Sequence, residues 1–169
     1  INLLYDAMRK VITLTARWCE QRQVSHWRQH RYNVRHLKRL MRQAQNKKRA
    51  RAQSDAQQKK NQALVVEAHQ AYLAAAERYL NKAQATLAQF GKCIVDEFDV
   101  LRKQEIEGFM RHATRQIDQT QRRVILGEAI PHGEKVFSLF ESHTEWVSKG
   151  KAGVPVELGV KVCILEDQY

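Results

Sequence analysis

Arg28, Arg31, Arg35, Lys38, Arg39 and Arg42 recur at three- and four-residue steps, and between Glu20 and Asp55 there is not one acid. Cations spaced in this way share a face of a helix and can reach several phosphates of a nucleic-acid backbone together, releasing counterions. Arginine suits the task because its planar fork grips phosphate oxygens in a bidentate way. An ordinary solvated face mixes signs, and this one does not. The run extends through Lys47, Lys48, Arg49 and Arg51. Charge of this kind points to a polyanionic partner; nothing in it reads a base sequence.

Other groups that could do chemistry are weaker. His26 and His30 stand four residues apart, a spacing that can chelate a metal on one helical face. They lie among arginines, without a Cys pair or an H-E-x-x-H arrangement, so surface or phosphate-contacting histidines are the better reading. Glu141, Glu145, Glu157, Glu166 and Asp167 are carboxylates that a two-metal phosphoryl-transfer centre would need to converge. Their spacing establishes no such geometry, and an acidic surface with a strand edge is the better reading for Glu141, Glu166 and Asp167. Lys149 and Lys151 flank Gly150 in a tight basic loop where the backbone of a glycine lets a phosphate approach. Trp18 and Trp27 lie on apolar stripes and are expected in the core rather than on bases. No nucleophile–base pair is visible, and no residue is assigned to catalysis or metal binding.

These residues need elements to hold them. Leu4, Met8, Val11, Ile12, Thr15, Trp18 and Cys19 predict a helix over residues 2–22, with residues 21–24 as a connection. Ser25 is a plausible N-cap for a second helix over 26–50, whose apolar stripe is Trp27, Val34, Leu37, Met41 and Ala44. Residues 45–62 suit either a helical extension or a connector. A third helix over 62–90 carries Val65, Ala68, Tyr72, Ala75, Tyr79, Leu87 and Phe90 on a narrow seam, as in an antiparallel hairpin. A fourth over 92–126 presents Ile94, Phe98, Leu101, Phe109, Ala113, Ile117 and Val124, and Gly127 and Pro131 stop it. Residues 156–165 are β-branched with partial alternation and predict a strand. The expected fold is mainly α, long antiparallel helices followed by a short C-terminal β segment. The expected organisation is a basic helical hairpin over 1–61, a long helical hairpin or arm over 62–130, and the start of a β part over 131–169.

The whole chain is consistent with this. Its 169 residues suffice for one domain with a real core, or two small ones. Residues 1–62 hold 16 Lys/Arg against three acids, so the excess positive charge behind the net +11 lies in the N-terminal third. No apolar run approaches the roughly 20 residues that cross a bilayer. Cys19, Cys93 and Cys163 are odd in number and widely spaced, which fits free thiols in a reducing cytosol.

Three stretches carry a resemblance. They are Leu3-Leu4-Tyr5-Asp6-Ala7-Met8-Arg9; Trp27-Arg28-Gln29-His30 with Arg39-Leu40-Met41-Arg42; and, most specifically, Ile130-Pro131-His132-Gly133-Glu134-Lys135-Val136-Phe137-Ser138 with Glu141-Ser142-His143-Thr144-Glu145-Trp146-Val147-Ser148-Lys149-Gly150-Lys151 and Val156-Glu157-Leu158-Gly159. The last closely resembles a block in the catalytic region of bacterial insertion-sequence DDE transposases, most nearly the ISNCY-like group. The resemblance implies a ribonuclease-H-like α/β core in which two Asp and a Glu bind Mg²⁺ or Mn²⁺, and an enzyme that cuts and joins DNA at element ends. On this expectation the chain is an internal piece: the helical insertion and early strands, with the three acids outside residues 1–169 and no catalytic position carried over. Asp6 is explained as a first-turn helix acid. The fragment is expected to be catalytically inert and to grip double-stranded transposon-end DNA through Arg28, Arg31, Arg35, Lys38, Arg39, Arg42, Lys47, Lys48, Arg49, Lys149 and Lys151. A bacterial, nucleoid-associated cytoplasmic setting follows, and a homodimer in a synaptic complex is allowed. The alternative expectation is a helical interaction module that dimerises through the seam over 65–90, its basic face serving RNA or an acidic protein.

Overall fold

The computed structural model describes residues 1–48, 54–91, 96–140, 144–148 and 156–159. It is mainly helical and divides into two compact units, Ile1–Ile130 and Pro131–Tyr169. The first unit contains helices α1 (Asn2–Gln21), α2 (His30–Lys48), α3 (Asp55–Gly91) and α4 (Glu97–Thr120).

The apolar stripe expected on α1 is buried at every position, with Ala7 and Ala16 added to it. Asp6 falls beyond the first turn, contrary to expectation, and pairs instead with Arg9 at 3.8 Å on the exposed side. The helix ends where Gln23 takes a positive φ of 56°. Val24 N–H then donates to the Cys19 carbonyl at 2.8 Å and Gln23 N–H to that of Glu20 at 3.0 Å, a Schellman closure.

The helix expected from residue 26 starts at His30. Residues Ser25–Trp27 form a separate 3₁₀ turn, and Ser25 caps nothing with its side chain. The indole of Trp27 accounts for the break: it is buried, and its Nε1–H donates to Thr86 Oγ1 at 3.0 Å, so the turn follows the anchored ring. Helix α3 begins seven residues earlier than expected. Ser54 Oγ accepts from Gln57 N–H and Asp55 stands in the first turn, and both favour a helix start. Residues 45–48 are thus the tail of α2 and residues 55–62 the head of α3; residues 49–53, Arg49 and Arg51 among them, lie outside the described residues.

Asp96 caps α4 by accepting from Asp99 N–H at 2.8 Å. Ala113 and Ile117 face inward as expected, the first turns do not, and Ile94 lies outside the described residues. Asp99, Ile106, Ala113, Gln116, Ile117 and Thr120 turn inward, while Phe98 and Leu101 are 69% and 60% exposed. Phe109 is half-buried beneath the Lys10 ammonium. The register is set by Asp99, whose carboxylate accepts from Trp18 Nε1–H at 2.9 Å and from Arg22. Residues seven apart from this anchor face α1, which rotates Phe98 and Leu101 outward. A π turn at Gln121–Ile125 and Gly127 at φ +73° end the segment.

Cross-ties give the helix directions. Gln45 reaches Asn2, Trp27 reaches Thr86, His36 reaches Tyr79, and Trp18 reaches Asp99. Helices α1 and α2, α2 and α3, and α1 and α4 are therefore antiparallel, with α4 packed chiefly on α1 and α3 on α2. The expected division at residue 61 does not appear, because all four helices share one core. Val65, Tyr72, Ala75, Leu87 and Phe90 of the supposed dimer seam are buried inside that core and are not an exposed surface. Burial of each large aliphatic side chain there contributes about 1.5–3 kcal/mol.

In the second unit, Pro131 leads into a 3₁₀ turn at His132–Glu134. Strands β1 (Glu145–Ser148) and β2 (Val156–Gly159) pair antiparallel, Trp146 opposite Leu158 and Val147 opposite Glu157. The predicted strand over 156–165 is described only to Gly159, and β1 was not anticipated.

A candidate nucleic-acid interface on the first two helices

Helix α2 turns Leu37, Met41 and Ala44 into the core. That orientation fixes the rest of its surface. Arg31, Arg35, Lys38, Arg39 and Arg42 are exposed on the far side, with Lys47 exposed in the last turn and Arg28 just before the first. Among the described residues none of these cations pairs with a carboxylate. Several acids of the first unit pair with other cations: Asp99 with Arg22 and Arg102, Glu107 with Lys103, Asp118 and Glu128 with Arg122. Arg35 donates from Nε to the Arg31 carbonyl at 3.3 Å, which lays its side chain along the helix.

Packing adds what the sequence reading missed. A groove of about 680 Å³ runs between α1 and α2, lined by Arg9, Thr13, Arg17, Glu20, His30, Arg31, Val34 and Arg35. Four arginines thus face one channel from two helices, with Glu20 the one carboxylate among the lining residues. The pair of Arg9 with Asp6 is long and solvent-exposed, so it holds Arg9 only weakly. The signal available in the sequence was the four-residue step from Arg9 through Thr13 to Arg17, off the apolar stripe of α1.

On the opposite flank of the stripe, Tyr32 lies parallel to His36, with ring centres 6.1 Å apart and planes 2° from coplanar. His36 Nδ1 is 3.1 Å from the Tyr79 hydroxyl on α3. Burial, then the charges of Arg39 and Arg78, hold the His36 imidazole below its ordinary pKa, so it is neutral at physiological pH.

The remaining candidates are placed as follows. Lys48 ends α2, its side chain outside the description; Arg49, Lys149 and Lys151 lie outside the described residues altogether. His26 sits on the 3₁₀ turn and His30 opens α2, so no continuous helix presents them together; His30 Nδ1 lies 3.2 Å from the Trp27 carbonyl. Trp18 and Trp27 are core residues, as expected. Glu145 and Glu157 are exposed on the β hairpin; Glu141, Glu166 and Asp167 lie outside the described residues. Among the described residues no three His, Cys, Asp or Glu side chains converge as a metal site would require. No described helix is long and apolar enough to cross a membrane.

No protein-family model, curated protein or solved structure matches this chain.

Proposed function

We propose that this chain is a DNA-holding segment of a bacterial DDE transposase of the ISNCY-like kind, in which α1 and α2 grip the sugar-phosphate backbone of double-stranded DNA. The observation that carries the reading is the exposed cation stripe of α2, free of carboxylate partners among the described residues, facing Arg9 and Arg17 across the groove. Phosphates laid along the stripe would meet several guanidinium forks at once, on a rigid helix whose other face is locked in the core. Contacts of this type position a duplex and carry no base preference. No residue of the chain is given a catalytic role. In the intact enzyme, a ribonuclease-H-like core with its Asp, Asp and Glu would bind Mg²⁺ or Mn²⁺ and cut and join strands at the bacterial nucleoid.

Fluorescence anisotropy with a labelled duplex tests it. Binding at low salt should weaken steeply as salt rises, the logarithmic slope being roughly −0.9 for each phosphate neutralised, so about −4 for four to five contacts. Reversing Arg31, Arg35 and Lys38 together to Glu should abolish binding while leaving the helical circular dichroism intact, since all three are exposed. A flat salt dependence, or a triple variant that binds like the parent, overturns the proposal.

A further inference from the structure

Resting on the reading of a backbone-gripping surface, we infer that Tyr32, backed by His36 and Tyr79, is a stacking platform for an unpaired base of the bound DNA. Tyr32 is 55% exposed, although a tyrosine in this fold can bury its ring, as Tyr72 does completely. It stands within the stripe: Arg28 is four residues before it, Arg35 three after and Arg39 seven after, all toward the same side of the helix. Arg78 adds a charge from α3, close enough to depress His36.

The ring is also held. His36 lies parallel to it, Tyr79 meets His36 edge-on at 6.4 Å and 85°, and the Tyr79 hydroxyl lies within hydrogen-bonding distance of the imidazole. Three rings from two helices thus form a braced series whose outermost member faces solvent amid phosphate-binding side chains. A flat, exposed aromatic beside a row of exposed cations is the arrangement that captures nucleobases, because every base has a π face and stacks without regard to sequence. Paired bases within a duplex keep their faces covered by their neighbours, so the platform selects DNA with a gap, flap or frayed end.

The full chain is titrated against a plain duplex and the same duplex carrying a short central single-stranded gap with 2-aminopurine in it. The parent chain should bind the gapped DNA several-fold more tightly and quench the 2-aminopurine fluorescence on binding. Tyr32→Ala should lower affinity for the gapped DNA about tenfold and remove the quench, leaving duplex affinity within twofold, while Tyr32→Phe keeps both signals. Equal affinity of the parent for both DNAs without quenching overturns the platform but leaves the backbone reading standing. Equal loss on both DNAs in Tyr32→Ala overturns it as well. Absence of binding to either DNA overturns both proposals. The quench in the parent needs no variant, so it decides the matter even if Tyr32→Ala folds poorly.

Discussion

Asp99 gathers an indole and two guanidinium groups around one buried carboxylate. Its carboxylate, nearly inaccessible, accepts from the indole of Trp18 and the guanidinium of Arg22, with Arg102 at 3.8 Å. Arg22 in turn lies over the Phe90 and Trp18 rings, at 5.1 and 5.4 Å from their centres. Removing one member of a buried charge pair leaves the other without compensation, which typically costs 3–5 kcal/mol. Asp99→Ala should therefore lower the urea unfolding free energy by about 3 kcal/mol. Asp99→Asn, which keeps an acceptor for the indole, should lower it less. Equal losses in the two variants would show that the charge itself contributes nothing. The sequence placed Trp18 in the core correctly but gave no reason to bury Asp99, because a lone acid on a charged helix normally faces water. Its closest partners, Trp18 and Arg22, are 81 and 77 residues away in the chain, and pairing at that distance leaves no local pattern.

At the scale of elements, legibility followed how purely each helix is patterned. Helix α1 buries an unbroken apolar stripe, and its spacing alone placed the inward face. Helix α2 has opposed apolar and cationic faces, so burial of one exposed the other as expected. Helix α4 was legible at Ala113 and Ile117 but not in its first turns, because its inward face contains Asp99, Gln116 and Thr120, and the apolar residues that remained suggested a stripe including Phe98 and Leu101. Arg9 and Arg17 escaped notice for another reason: their relevance depends on how α1 docks beside α2, which neither helix encodes alone. The turn after α1 offers a direct test of local backbone physics. Gln23 holds a left-handed conformation that costs an L-residue roughly 1–2 kcal/mol and glycine almost nothing. The greater freedom of glycine in the unfolded chain offsets about half of this. Gln23→Gly should accordingly stabilise the protein by roughly 0.5 kcal/mol, seen as a small rise in the urea midpoint with an unchanged m-value. A fall in the midpoint would mean that the Gln23 side chain contributes more than its backbone conformation costs.

For the whole molecule, the packing of four helices into one core has a consequence in alkaline solution. Burial pushes the Cys19 thiol from 9.0 up to about 11 and raises the Tyr72 phenol above its ordinary value; Tyr72 also donates its hydroxyl proton to the Ile1 carbonyl at 3.2 Å. In the unfolded chain these protons leave near their ordinary values of about 9 and 10, whereas the native state retains them. Between pH 9 and 11 the unfolded state thus binds fewer protons than the native state, so stability must fall as pH rises. One proton of difference gives a slope of about 1.4 kcal/mol per pH unit. Urea denaturation at intervals from pH 8 to 10.5 should show the unfolding free energy declining above pH 9. The double variant Cys19→Ala with Tyr72→Phe starts from a lower value, having lost a buried thiol and a hydrogen bond. Its decline over the same range should nevertheless be distinctly shallower, because both native-held protons are gone. A wild-type curve parallel to that of the double variant would mean that neither group is shielded from water as the packing of α1 against α3 requires.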